Sequence, residues 1–133
     1  MRIRLLRSFA LVGFLLAVCG ALFGHHGNVA YDMSKPLVLK QATVTKFTWA
    51  NPHSFIMFDA KDGKGNEQHW IAETGSPSSL TQIGWNRNSL QPKDVLTVYI
   101  FPSKSGVPVG RLNKVVFADN KELRDSIVGY DSK

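Results

Sequence analysis

The run from Leu37 to Trp49 restricts the fold more than any other part of the chain. It is rich in β-branched and aromatic residues and reads as a strand. Its apolar positions change face twice: Leu37 and Leu39, then Ala42 and Val44, then Phe47 and Trp49. A regular strand keeps its apolar residues at every second position, and one extra residue sends all that follow to the other face. One flat strand therefore cannot bury all three pairs. A strand with bulges, bending around a small barrel, can. Asn51-Pro52 ends the run.

Shorter elements follow. Ser54 to Ala60 is a second strand, with Phe55-Ile56-Met57-Phe58 apolar on both faces. Asp62-Gly63-Lys64-Gly65-Asn66 is turn chemistry, so Glu67 to Glu73 closes a hairpin. Ser76-Pro77 has the form of an N-cap followed by proline at the first helical position, and Gly84 supplies a stop for a short helix ending near Ile83. Val95 to Phe101 and Val109 to Phe117 are the fourth and fifth strands, separated by a loop at Ser103 to Pro108. Asp119-Asn120 turns into a short tail. The order strand, strand, strand, short helix, strand, strand predicts an all-β fold. It is an OB-fold-like barrel of five strands with one helix between the third and fourth. Another small β-sandwich or half-barrel is the alternative.

The chain has 133 residues, enough for one compact domain. Its formal charge of +6 resembles a nucleic-acid signal until the charges are located. Arg2, Arg4 and Arg7 precede an apolar run from Phe9 to Val18, and small residues follow at Cys19, Gly20, Ala21 and Gly24. Residues 1–24 therefore read as a signal peptide, too short in apolar length to span a bilayer. Residues 25–133 read as a single domain with a short N-terminal arm. Without the leader, 13 basic residues face 10 acidic ones, which argues against a nucleic-acid groove. The expected location is periplasmic or secreted, with no membrane span after cleavage; an uncleaved leader anchoring the protein in the inner membrane is the alternative. Cleavage after Ala21 or after Gly24 removes Cys19, the one cysteine, and with it disulfide and thiolate chemistry.

Several short pieces carry a family resemblance. They are His25-His26 after the leader, Tyr31-Asp32, Lys35-Pro36, Trp49-x-Asn51-Pro52-His53 and Glu73-x-Gly75-Ser76-Pro77. The last and longest is Gly84-Trp85-x-Arg87-x-Ser89-Leu90-x-Pro92-x-Asp94. In this order they resemble a bacterial family of small exported proteins classed as a domain of unknown function. The family usually has Ser and an aromatic after the two histidines, where this chain has Gly27-Asn28, and Gly where Lys93 stands. The resemblance implies an exported single-domain β protein and supplies no activity.

Candidate chemistry begins with the histidines. An α-amine beside imidazole suits tetragonal Cu(II), so His25 and His26 are candidate copper ligands, with His53 as a third. Cleavage before His25 pairs its amine with its own ring. A first residue at Gly24 puts His26 third, and a first residue at Leu22 gives neither geometry. His69 alternates with Trp70 and is expected to face solvent if Trp70 faces the core. Glu73 and Arg87, which flank the short helix, are ligand or structural anchors: Glu73 could orient a ligand or support a metal and Arg87 could bind an anion, and as anchors the two are expected to pair, bracing the helix start together with Ser76. Trp49 and Trp85 are ligand-stacking or structural anchors. No nucleophile elbow, phosphate loop, zinc-protease motif or Cys–His pair is present. The sequence reads as a non-enzymatic accessory or binding module whose partner is a metal ion, with copper as the candidate cofactor, or a periplasmic protein. A metal-free module for a protein or small ligand is the second reading, and a small secreted enzyme the third.

Overall fold

The computed structural model describes residues 28–126. The expectations for the leader, Cys19, His25 and His26 lie outside the described residues. A compact unit begins at Tyr31 and holds every element named below. The elements are β1 (Leu37–Thr48), β2 (Phe55–Lys61), β3 (Glu67–Glu73), α1 (Pro77–Thr81), β4 (Val95–Pro102), β5 (Val109–Val116) and β6 (Glu122–Arg124).

The face changes in β1 are two bulges. Against β4 the register slips between Leu39 and Ala42, where Gln41 takes a φ of 54°. Against β2 it slips between Val44 and Lys46. Each slip adds one residue to β1, so Leu39, Ala42 and Val44 all reach the core, and Phe47 packs against it. Leu37 is the exception: at the start of the strand it remains 41% exposed. The bends let one strand serve two neighbours, β4 along its first half and β2 along its second.

The sheet runs β3-β2-β1-β4-β5-β6, and parallel pairing of β3 with β5 closes the first five strands into a barrel. This is the OB-like order expected from the sequence, with α1 between β3 and β4. Ser76 caps α1: its Oγ accepts the Ser79 N–H at 3.3 Å, and Pro77 takes the first turn. The helix is shorter than expected, ending at Thr81, and Gly84 turns the chain at φ 95°. Leu80, Trp85 and Leu90 insert from this connection into the core formed by Ile56, Phe58, Val98, Ile100 and Leu112.

The tail after Asp119-Asn120 holds a sixth strand. β6 is three residues long and carries one apolar side chain, Leu123, which is too little pattern to read. It forms because Val115↔Leu123 pairing buries Leu123, and because the Trp85 indole N–H donates to the Arg124 carbonyl at 2.8 Å.

Lys93 sits at φ 77° in the left-handed region. Its N–H donates to the Val44 carbonyl at 2.8 Å, which fixes the turn against β1. A side chain at such a φ costs about 1 kcal/mol. Lys93→Gly is therefore expected to raise unfolding stability by up to about 1 kcal/mol, partly offset by the added freedom of the unfolded chain. Urea denaturation checks this; a loss of stability would show that the Lys93 side chain contributes more than its backbone strain.

Candidate functional site

The closing ladder between β3 and β5 also places the charged groups. Its last rung pairs Glu73 with Arg111. At the preceding rung Gly110 leaves no room for a side chain: a Cβ there would lie 2.5 Å from the Phe101 carbonyl oxygen and 2.6 Å from Ile100 Cγ1. The backbone can close the barrel at this rung because position 110 lacks a Cβ, and the next side chain along β5 is the guanidinium of Arg111.

Arg111 is buried, with its side chain 5% exposed, so it must be paired. Its Nε donates to Asp125 Oδ2 at 2.7 Å, and its Nη1 lies 3.6 Å from Glu73 Oε1. Asp125 follows β6 and has no solvent exposure. Its other oxygen accepts from Thr74 Oγ1 at 2.8 Å and from the Gly75 N–H at 3.0 Å. Gly75 is also tightly enclosed, since a Cβ would stand 2.4 Å from Ser126 Oγ. This packing explains the glycine in the Glu73-x-Gly75-Ser76-Pro77 piece.

Glu73 joins the buried pair to the surface. Tyr31 Oη donates to Glu73 Oε2 at 2.7 Å, which ties the start of the compact unit to β3. Burial, the Glu73 hydrogen bond and the Glu73 charge push the Tyr31 hydroxyl up to about 12, while Arg111 opposes the shift. On the outer side the His53 ring contacts Glu73 Oε1 through Nδ1. An ionised carboxylate only accepts, so Nδ1 carries the proton and Nε2 keeps the lone pair in the neutral ring. His53 is placed by the chain before β2. Ser54 extends the β2–β3 ladder, donating its N–H to the Gly75 carbonyl and accepting the Thr74 N–H, each at 2.9 Å. The Asn51–Pro52 peptide immediately before it is cis.

The expected brace of Glu73, Ser76 and Arg87 does not form. Arg87 is exposed and makes no ion pair among the described residues, and nothing in the structure explains its presence in the motif. Ser76 serves only the helix. Asp125 is the carboxylate that receives a backbone N–H beside the helix start, and Arg111 is the cation beside Glu73. Both were missed because the sequence offers one arginine close to the helix and another well along a strand, and only barrel closure selects between them. Trp85 is a structural anchor, buried and hydrogen-bonded. Trp49 is half-buried, edge-on to Phe47 at 5.7 Å, and Phe47 in turn packs on Trp85 at 5.8 Å. His69 faces solvent and Trp70 the core, as strand alternation predicts. The hydrogen bond to Asp59, and then the Asp59 charge, raise the His69 ring above the usual histidine range. Among the described residues no group of three or more His, Cys, Asp and Glu side chains is arranged to hold a metal ion. None of their helices is long and apolar enough to cross a membrane.

The sequence profile of a family of unknown function (DUF6152) matches residues 12–112, more than half of the chain. The chain belongs to this family. The DUF6152 match takes in His25, His26, His53, Glu73 and Arg111 and stops before Asp125. No curated protein matches the chain, and neither does any solved structure.

Removing one partner of a buried pair leaves the other charged and desolvated, at a cost of about 3–5 kcal/mol. Asp125→Ala is expected to lose stability on that scale. Arg87→Ala, at an exposed residue, should stay within about 0.5 kcal/mol of the parent. Chemical denaturation of both variants checks the assignment; a larger loss for Arg87→Ala than for Asp125→Ala would overturn it.

Proposed function

We propose that this protein is an exported, non-catalytic accessory module that binds Cu(II) through His25 and His26, with His53 as a third imidazole. The observation that carries this reading is the placing of two adjacent histidines where cleavage of an apolar leader would expose an α-amine. Amine and imidazole nitrogens are the donor set that Cu(II) prefers. The state of His53 supports the same reading. A carboxylate on one ring nitrogen is the usual way a metal-binding histidine is oriented, and Glu73 holds Nδ1 while Nε2 keeps its lone pair. Leader and location rest on the sequence pattern: three arginines, an apolar run and small residues.

Calorimetric titration of correctly processed protein tests the proposal, with intact mass fixing its first residue. One Cu(II) per chain is expected. Affinity should fall as pH drops below about 6, because amine and imidazole must be neutral to bind. A His25→Ala, His26→Ala double variant should lose the tight site, and His53→Ala should remove one nitrogen from the Cu(II) electron paramagnetic resonance spectrum. Equal affinity for the parent and the double variant would sink the copper reading and leave a metal-free binding module in its place.

A further inference from the structure

Among the described residues, three groups meet on the Glu73 carboxylate. Tyr31 Oη donates to Oε2 at 2.7 Å, His53 Nδ1 contacts Oε1, and Arg111 Nη1 stands 3.6 Å from the same Oε1. The last distance is too long for a hydrogen bond. Charge and burial alone would favour the opposite choice. The Arg111 side chain is 5% exposed and that of His53 41%, and a guanidinium beside a carboxylate readily forms two parallel bonds with it. A carboxylate free to turn would complete the pair with Arg111 and leave His53 unheld.

Two restraints keep it from turning. Asp125 draws the guanidinium the other way, accepting from Arg111 Nε at 2.7 Å. Tyr31 holds the carboxylate itself. The place of Tyr31 does not depend on Glu73: its backbone forms a bridge with Ser103, and Asp32 donates its N–H to the Pro102 carbonyl at 2.8 Å. Its ring is buried, 9% exposed. The hydroxyl is thus a donor fixed by the end of β4. Swinging Oε2 toward Arg111 would break its bond to this hydroxyl and leave a half-buried O–H unpaired. The carboxylate therefore keeps Oε1 against His53. A ring whose Nδ1 donates to a carboxylate keeps its lone pair on Nε2, whereas free neutral histidine favours the other tautomer.

We propose that Tyr31 is a positioning residue for His53: its hydroxyl holds the Glu73 carboxylate off Arg111 and against Nδ1, so that Nε2 is the nitrogen through which His53 binds a metal ion. The ligand role of His53 rests on the copper reading above; the hold of Tyr31 on the ring does not.

Tyr31→Phe removes the hydroxyl and keeps the ring and both backbone contacts. The full processed chain and this variant, 15N-labelled and freed of metal with EDTA, are compared by long-range 1H–15N correlation of their imidazole rings. The measurement is made at about pH 8.5, above the ordinary histidine range. The parent should show His53 with a protonated Nδ1 and a bare Nε2, and in Tyr31→Phe the proton should move in part to Nε2. His69, whose Nδ1 is held by Asp59 at 2.5 Å, is the internal control and should be the same in both. In Cu(II) titration Tyr31→Phe should bind about tenfold more weakly, the scale of an outer-shell change at a metal site, and lose one nitrogen from its electron paramagnetic resonance spectrum. In a His53→Ala background the same change should cost nothing further. An unchanged His53 tautomer in folded Tyr31→Phe would overturn the proposal whatever the copper result. So would an equal loss of affinity in the His53→Ala background, which would make Tyr31 a fold anchor only. A parent that binds Cu(II) no better than the His25→Ala, His26→Ala double variant sinks the copper reading, and the metal-free tautomer comparison still decides the role of Tyr31.

Discussion

The barrel closes on three rungs, Ile71↔Val109, Ala72↔Gly110 and Glu73↔Arg111, and the rest of the structure depends on that short parallel ladder. Parallel pairing over three residues is weak by itself, so closure needs help from packing and charge. Packing comes from Gly110, which lets β5 lie against the Phe101 carbonyl and the Ile100 side chain. Charge comes from the last rung, which sets a carboxylate beside a guanidinium. Barrel closure and the polar cluster are in this sense one constraint. The strands cannot meet without bringing Glu73 to Arg111, and a buried Arg111 cannot stay in place without a partner.

That requirement accounts for β6 and the residue that follows it. Three residues of β6 bury little apolar surface, yet they carry Asp125 to the one position where its carboxylate answers Arg111, Thr74 and Gly75 together. Each oxygen of Asp125 is satisfied, which is the condition under which a fully buried carboxylate is tolerated. The cluster then grades outward. Asp125 is sealed, Glu73 is partly covered beneath Tyr31, and His53 lies at the surface with Nδ1 against Glu73.

Much of the fold was legible in the sequence. The three-residue steps from Leu39 to Ala42 and from Val44 to Phe47 are visible as breaks in a period-two pattern, and each break is a bulge in β1. The helix cap and the hairpin turn were legible for a similar reason: Ser76-Pro77 and Asp62-Gly63 act through local backbone chemistry. The pairing of charges was not. Glu73 lies 38 positions from Arg111 and Asp125 lies 14 beyond that, and no periodicity links them. Arg87 was the nearer cation in sequence, and it points into solvent.

Local pattern was enough to place the first five strands, the bends of the first, the start of the helix, and the small all-β barrel. These follow from local pattern, because side-chain alternation and turn preference act over a few residues. Which arginine is buried, which carboxylate serves the helix entry and that Glu122–Arg124 forms a strand were settled only by folding. Those outcomes depend on closing a barrel from strands distant in the chain. The identity of each charge's partner is fixed only once closure has removed water from between them.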